Sequence, residues 1–229
     1  EESWSIDYMI FYGDPAKPDV WERLRTELLR ERKHELGAVM RVSAALIDAG
    51  GHHTNEVYAF CQAMRGYNIF PSRGTTAAGK PVIDKPTRVG TSRLKLWMIG
   101  TEAAKDTIFS SLKVSVPGPR HCHFPSHYTD DYFDQLRSEK RITKYSRGQR
   151  VVRYVKIRER NEALDCRVLA YAALHILQPR WTALSEKLNE EVANLSEPTE
   201  RKEEKVERDE KLPFVGPRRN RFVYSWKKF

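Results

Sequence analysis

Residues 4–10 alternate along the chain, with Trp4, Ile6, Tyr8 and Ile10 on one parity and Ser5, Asp7 and Met9 on the other. A period of two predicts a strand, closed by the turn signal Gly13-Asp14-Pro15. The period then changes. Asp19 is placed to cap a helix with Glu22 three residues on, and Val20, Trp21, Leu24, Leu28 and Leu29 give an apolar stripe to about residue 32. Residues 40–47 form a short apolar run, long enough for a buried central strand, ending on Asp48-Ala49-Gly50-Gly51. Thr54 or Asn55 then caps a helix carrying Val57, Tyr58, Phe60, Cys61 and Met64, and Gly66 stops it.

Residues 67–71 predict the next strand, and residues 72–92, rich in glycine, proline and lysine, predict a long basic loop. A strand resumes over 94–99, Thr101 caps a helix to residue 112, and Pro117-Gly118-Pro119 opens a turn-rich passage holding three of the seven histidines. Residues 142–145 and 151–157, joined around Ser146-Arg147-Gly148, predict a β-hairpin. Asn161 opens an apolar helix to residue 177, and residues 179–195 predict another, amphipathic one. Strands alternating with helices predict an α/β domain over residues 1–195, a mixed sheet with helices on both faces. Residues 196–211 are almost entirely Glu, Lys, Arg and Asp, which predicts a solvated linker or frayed helix. The unit 196–229 ends in a tail where Phe214, Phe222, Tyr224, Trp226 and Phe229 sit among Arg218, Arg219, Arg221, Lys227 and Lys228. Such a mixture suits docking onto a partner, or folding back as a closing strand.

At 229 residues the chain can bury a core without disulfides. Cys61, Cys122 and Cys166 are far apart and form no CxxC pair, so reduced thiols are expected. No apolar run approaches the roughly 18–20 residues a membrane helix needs, so no membrane partner is expected. The start at Glu1-Glu2-Ser3-Trp4, without methionine or a secretory layout, reads as the cut end of a longer polypeptide. Lys and Arg number 40 against 31 acids, a formal charge of +9 that favours a polyanionic partner. The charge is concentrated. Residues 137–160 hold ten basic side chains (Arg137, Lys140, Arg141, Lys144, Arg147, Arg150, Arg153, Lys156, Arg158 and Arg160) against two acids, Glu139 and Glu159.

Asp48 stands where an apolar strand runs out into glycines, the end of an α/β sheet at which ligands bind. A lone aspartate there is equally a turn residue bonding its own backbone. Glu162 and Asp165, three apart at a helix start, share one face and supply further carboxylates; a variant capping box would account for them too. Their position after the basic hairpin favours oxygen ligands for Mg²⁺ or Mn²⁺ beside a phosphate-attracting surface. That arrangement suits phosphodiester hydrolysis by two divalent ions. A strand-end Asp with a helix-start Glu is the ligand layout of a ribonuclease H-like nuclease. His52, His53, His121, Cys122, His123 and His127 raise a zinc alternative, but their spacing lacks the paired layout of structural sites. Lys80 and Lys105 are either phosphate contacts or solvated lysines, and Trp4, Trp21 and Trp97 are expected in the core.

Ile47-Asp48-Ala49-Gly50-Gly51, Val57-Tyr58-Ala59-Phe60, Gly79-Lys80-Pro81-Val82, the string 99–106, His123-Phe124-Pro125 and above all Arg160-Asn161-Glu162-Ala163-Leu164-Asp165-Cys166 occur in order. Together with the opening seven residues they resemble the nuclease domain of the lambda-type phage terminase large subunit, over residues 1–181. The resemblance implies an endonuclease of genome packaging that cuts concatemeric DNA, working in the cytoplasm of an infected bacterium. It implies double-stranded DNA, a terminase small subunit, the capsid portal and an ATPase domain of the same polypeptide as partners. Among site residues it implies Asp48 and Glu162 as metal ligands, with Asp165 as support or alternate. It further implies a first strand with its own aspartate ahead of residue 1, for which Asp7 and Asp14 do not substitute. A chain lacking that strand would cut weakly, or act as a non-catalytic DNA-binding and docking module; a junction resolvase on the same fold is a third reading.

Overall fold

The computed structural model describes residues 2–75, 77, 79–146 and 149–196. The expected tail therefore lies outside the described residues, as does nearly all of the linker. In chain order the elements are β1 (Ser3–Trp4), α1 (Pro18–Leu29), β2 (Arg32–Lys33), β3 (Val39–Met40), β4 (Ala45–Asp48), α2 (Thr54–Ala63) and β5 (Ile69–Thr75). There follow β6 (Thr87–Val89), β7 (Leu94–Gly100), α3 (Thr101–Ser111), β8 (Cys122–His123) and α4 (Asp130–Leu136). The described chain closes with the hairpin β9 (Glu139–Ser146) and β10 (Gln149–Lys156), then α5 (Glu162–Leu177) and α6 (Trp181–Ser196).

The main sheet has the order β4-β5-β7-β6, with β4, β5 and β7 parallel and β6 antiparallel at one edge. Side chains along β4 alternate between its two faces. Ala45 and Ile47 pack on the side of α1 and α2, with Val57, Phe60, Cys61 and Met64 as that core. Leu46 packs on the other side, where α3, α4 and α5 contribute Ala104, Ile108, Tyr132, Leu136, Leu164, Val168 and Ala172. The fold is thus α/β, a mixed sheet with helices on both faces, and α5 packs against β4, whose end lies within reach of the first turn of α5.

Several expectations need correction. Only Ser3 and Trp4 of the alternating opening segment form a strand, a parallel pairing with β8, and Trp4, Ile6 and Ile10 are exposed. A period-two pattern becomes a strand only beside a partner, and the described residues offer this one just Cys122 and His123. Trp4 is consequently no core residue but stacks on the His123 ring, centroids 4.4 Å apart. Helix α1 starts at Pro18 rather than being capped by Asp19, because the fixed φ of proline suits the first helical position. The apolar run 40–47 divides, its start pairing with Arg32 and Lys33 and its end entering the main sheet.

Residues 72–92 are more ordered than a loop. Ser72 to Thr75 continue β5, residues 87–89 form β6, and Ile83 bridges Ile99. The intervening backbone lies so close to β7 that a Cβ on Gly100 would sit 2.2 Å from the Pro81 carbonyl oxygen. The turn-rich passage also hides α4, whose seven residues are too few and too acidic to register as a periodic stripe.

Candidate functional site

The site forms where four elements meet: the end of β4, the middle of α3, the root of the hairpin and the first turn of α5. Asp48 closes β4 with its side chain exposed, and its Oδ1 accepts the Gly50 N–H at 2.9 Å. That contact is the turn-type bond expected of a strand-end aspartate, and it leaves Oδ2 open.

Glu162 and Asp165 leave α5 toward different surroundings. Glu162 is exposed and meets Arg160, Nε to Oε2 3.5 Å, while Arg160 also reaches Asp131 at 3.5 Å. Asp165 faces the sheet. Its pKa is raised, first by burial and then by the negative fields of Glu139 and Asp48, against the opposing fields of Lys105 and Lys156. One side of the residue stays open to solvent, yet protein crowds the carboxyl enough for burial to dominate. Of the fields acting on Asp165, that of Asp48 comes after those of Lys105, Glu139 and Lys156. No capping box forms: the Asn161 side chain makes no cap bond, and the Ala163 N–H is met at 3.2 Å by Oε1 of buried Gln135.

Sequence reasoning passed over Glu139. Lys105, buried in α3, places Nζ 2.8 Å from both Glu139 oxygens. The Asn161 amide then donates to Glu139 Oε1 at 3.3 Å and to Asp165 Oδ2 at 2.9 Å. Lys105 is thus turned inward to a carboxylate instead of outward to solvent. The available signal was an acid standing among ten cations.

Pairing register sorts the hairpin into two faces. Glu139, Arg141, Tyr154 and Lys156 share the face that packs on α3, where Tyr154 donates to Asp106 at 2.6 Å and stacks on Phe109, and Arg141 pairs with Asp106 at 3.0 Å. Lys140, Lys144 and Arg153 lie on the other face, exposed and without an ion pair to any described residue. Arg137 and Arg158 are engaged by Asp134, and Lys80 by Asp84 at 3.2 Å. Arg147 and the Arg150 side chain lie outside the described residues.

Among the described residues no three His, Cys, Asp or Glu side chains gather as a ready metal site, the zinc candidates included. His123 is engaged instead by Glu2 at 2.7 Å, and His121 by the Val114 carbonyl at 3.0 Å. The donor chemistry at Asp48 and Asp165 nonetheless fits a hard divalent ion. Mg²⁺ commonly takes one or two carboxylates and completes its shell with water and substrate phosphate, and a cation here would favour the ionised form of Asp165 against the burial that raises its pKa. No helix of the described residues is long and apolar enough to cross a membrane.

The model of the family "Terminase large subunit gpA, endonuclease domain" matches residues 1–187. The chain belongs to that family. It is 32% identical over 204 residues to the terminase large subunit of Escherichia phage lambda, covering 83% of this chain and 32% of the relative. To the terminase large subunit of Enterobacteria phage P21 it is 28% identical over 190 residues, 79% of this chain and 29% of the relative. It spans about a third of the length of these curated relatives. No solved structure matches the chain.

Proposed function

We propose that this terminase-family chain is a divalent-metal-dependent endodeoxyribonuclease that cuts concatemeric phage DNA during genome packaging. The observation that carries the reading is the placement of Asp165, held by the Asn161 amide at 2.9 Å beside the root of a basic hairpin, within electrostatic reach of strand-end Asp48. This layout supports a ribonuclease H-like site. Asp48 and Asp165 would hold Mg²⁺ or Mn²⁺, with Glu162, exposed one turn earlier, joining them by leaving Arg160. When bound, the ions activate water and stabilise the leaving oxygen of the phosphodiester. The chain's own residues do the rest. Lys140, Lys144 and Arg153 hold duplex phosphates along the hairpin, and Lys156 draws the backbone toward the acids.

On this reading the partners are double-stranded DNA, the terminase small subunit, an ATPase domain of the same polypeptide and the capsid portal, the last engaged through residues 196–229. The setting is the cytoplasm of the infected bacterium. Supercoiled plasmid incubated with the chain and Mn²⁺ tests the activity: wild type nicks, and Asp48→Asn, Asp165→Asn and Glu162→Gln do not, while all four retain DNA on a filter. Nicking by Asp48→Asn at the wild-type rate would place the chemistry elsewhere.

The lack of a ready three-ligand set among the described residues favours a second reading, a DNA-binding and docking module without catalysis. Filter retention with no Mn²⁺-dependent nicking in the wild type is its expected result.

A further inference from the structure

We infer that Lys105 and Glu139 are positioning residues for Asp165, forming with Asn161 a relay that fixes the α5 carboxylate against the root of the DNA-binding hairpin. The inference rests on the reading of Asp48 and Asp165 as the metal-holding pair.

The geometry is one-directional. Lys105 has two acceptors, both on Glu139, and its side chain is 11% exposed against 8% for Glu139. Burying a charge pair brings little net stability, since desolvation offsets the attraction. Stability alone therefore gives weak reason for a buried Lys–Glu pair at this point. What the pair does supply is orientation. With both Glu139 oxygens held by Lys105, Oε1 is a fixed acceptor for one Asn161 N–H, and the Asn161 amide plane is then set. The same nitrogen is left aimed at Asp165 Oδ2. One oxygen of Asp165 is thereby anchored, and the other accepts no hydrogen bond from a described residue. Replacing a partner that orients a metal ligand in this way typically costs about ten- to hundredfold in metal affinity or activity.

The relay is also rooted in the hairpin. Glu139 is the first residue of β9, and the preceding Ser138 carbonyl accepts the N–H groups of Ile157 and Arg158 at 2.8 and 3.2 Å, closing the two strands at their base. Lys105, Asp106 and Phe109 grip Glu139, Arg141 and Tyr154 on one face, so α3 holds hairpin and relay together.

The decisive variant is Lys105→Met with Glu139→Gln. It removes one positive and one negative charge, so the net field at Asp165 is nearly unchanged, and it leaves no unpaired buried ion. Melting temperature and Mn²⁺ affinity, the latter by electron paramagnetic resonance of free Mn²⁺, are measured on the 229-residue chain. Glu139→Gln alone should melt lower because it strands Lys105, and the double variant should regain most of that loss. Positioning predicts that the double variant still binds Mn²⁺ about tenfold more weakly than wild type. A double variant with wild-type affinity would reduce the pair to a structural contact and overturn the inference, provided that Asp48→Asn and Asp165→Asn lose affinity. If those two bind Mn²⁺ like wild type, the metal-site reading falls and the inference with it.

Discussion

Asp48 and Asp165 are brought into each other's field by elements 117 positions apart in the chain, a strand end and a helix start, with no bond joining them. Like charges so placed cost stability. The raised pKa of Asp165 records that cost, burial first and the carboxylates of Glu139 and Asp48 next. Asp165→Asn keeps an acceptor for Asn161 and discards the charge. Its melting temperature at pH 7 should therefore not fall and should rise slightly, while Mn²⁺-dependent nicking is lost. A drop in melting temperature would show that the charge of Asp165 stabilises the fold instead of straining it.

Gly100 tests the packing behind the site. A Cβ there meets the Pro81 carbonyl oxygen at 2.2 Å and the Lys80 carbonyl oxygen at 2.9 Å, both backbone atoms with little freedom to yield. Gly100→Ala should cost about 2 kcal/mol or more, roughly 4–8 °C in melting temperature. Gly51, with no atom within 4 Å of its would-be Cβ, is the control and should tolerate alanine. Equal effects would mean that residues 80–82 do not press on β7.

The parts of this architecture legible in the sequence are those whose order is local. The apolar stretch before Asp48, α2, the strand at residues 94–99 and the paired hairpin strands each carry their period within a dozen residues, although α2 begins after His53 without a side-chain cap from Thr54 or Asn55. Opening residues 4–10 misled because alternation records what a strand would need, not whether a neighbour supplies it. Asp48 and Asp165 were both legible as acids at element ends. That Asp165 lies within reach of the field of Asp48 depended on how α5 packs against β4. Lys105 and Glu139 were illegible as a pair, because they stand 34 positions apart and nothing between them signals that their side chains meet.

Cys61 is wholly buried, and burial pushes its thiol up to about 12. The folded chain thus holds that proton more tightly than the unfolded chain, whose thiol titrates near 9.0. Its contribution to stability is complete below the ordinary thiol range and is lost as pH climbs toward 12. At pH 8 an alkylating reagent should label Cys166, an exposed residue whose thiol pKa is raised by burial and by Asp165 and Glu162, slowly but ahead of Cys61, which stays untouched until denaturant is added. Mass spectrometry of tryptic peptides reads the order directly, and early labelling of Cys61 would show that α2 opens readily from the sheet.

The hairpin gives the last prediction. Each eight-residue strand extends about 27 Å, and Lys144 and Arg153 stand on the face turned away from α3. Side chains that meet only phosphates add affinity without sequence preference, and each releases roughly one counterion. Replacing Lys144 and Arg153 with alanine should therefore weaken binding to any duplex and lower the slope of log affinity against log salt by about one for each contact removed. Neither side chain touches the core, so melting temperature should stay within about 1 °C. Mn²⁺ affinity without DNA should not change, because the relay at Glu139 lies at the other end of the strands. Arg141→Ala provides the contrast: Arg141 is tied to Asp106 on the α3 face, so its loss should loosen the hairpin root and disturb Mn²⁺ binding with little effect on the salt slope. An unchanged salt slope in the Lys144 and Arg153 variants would remove the outer face from the DNA path.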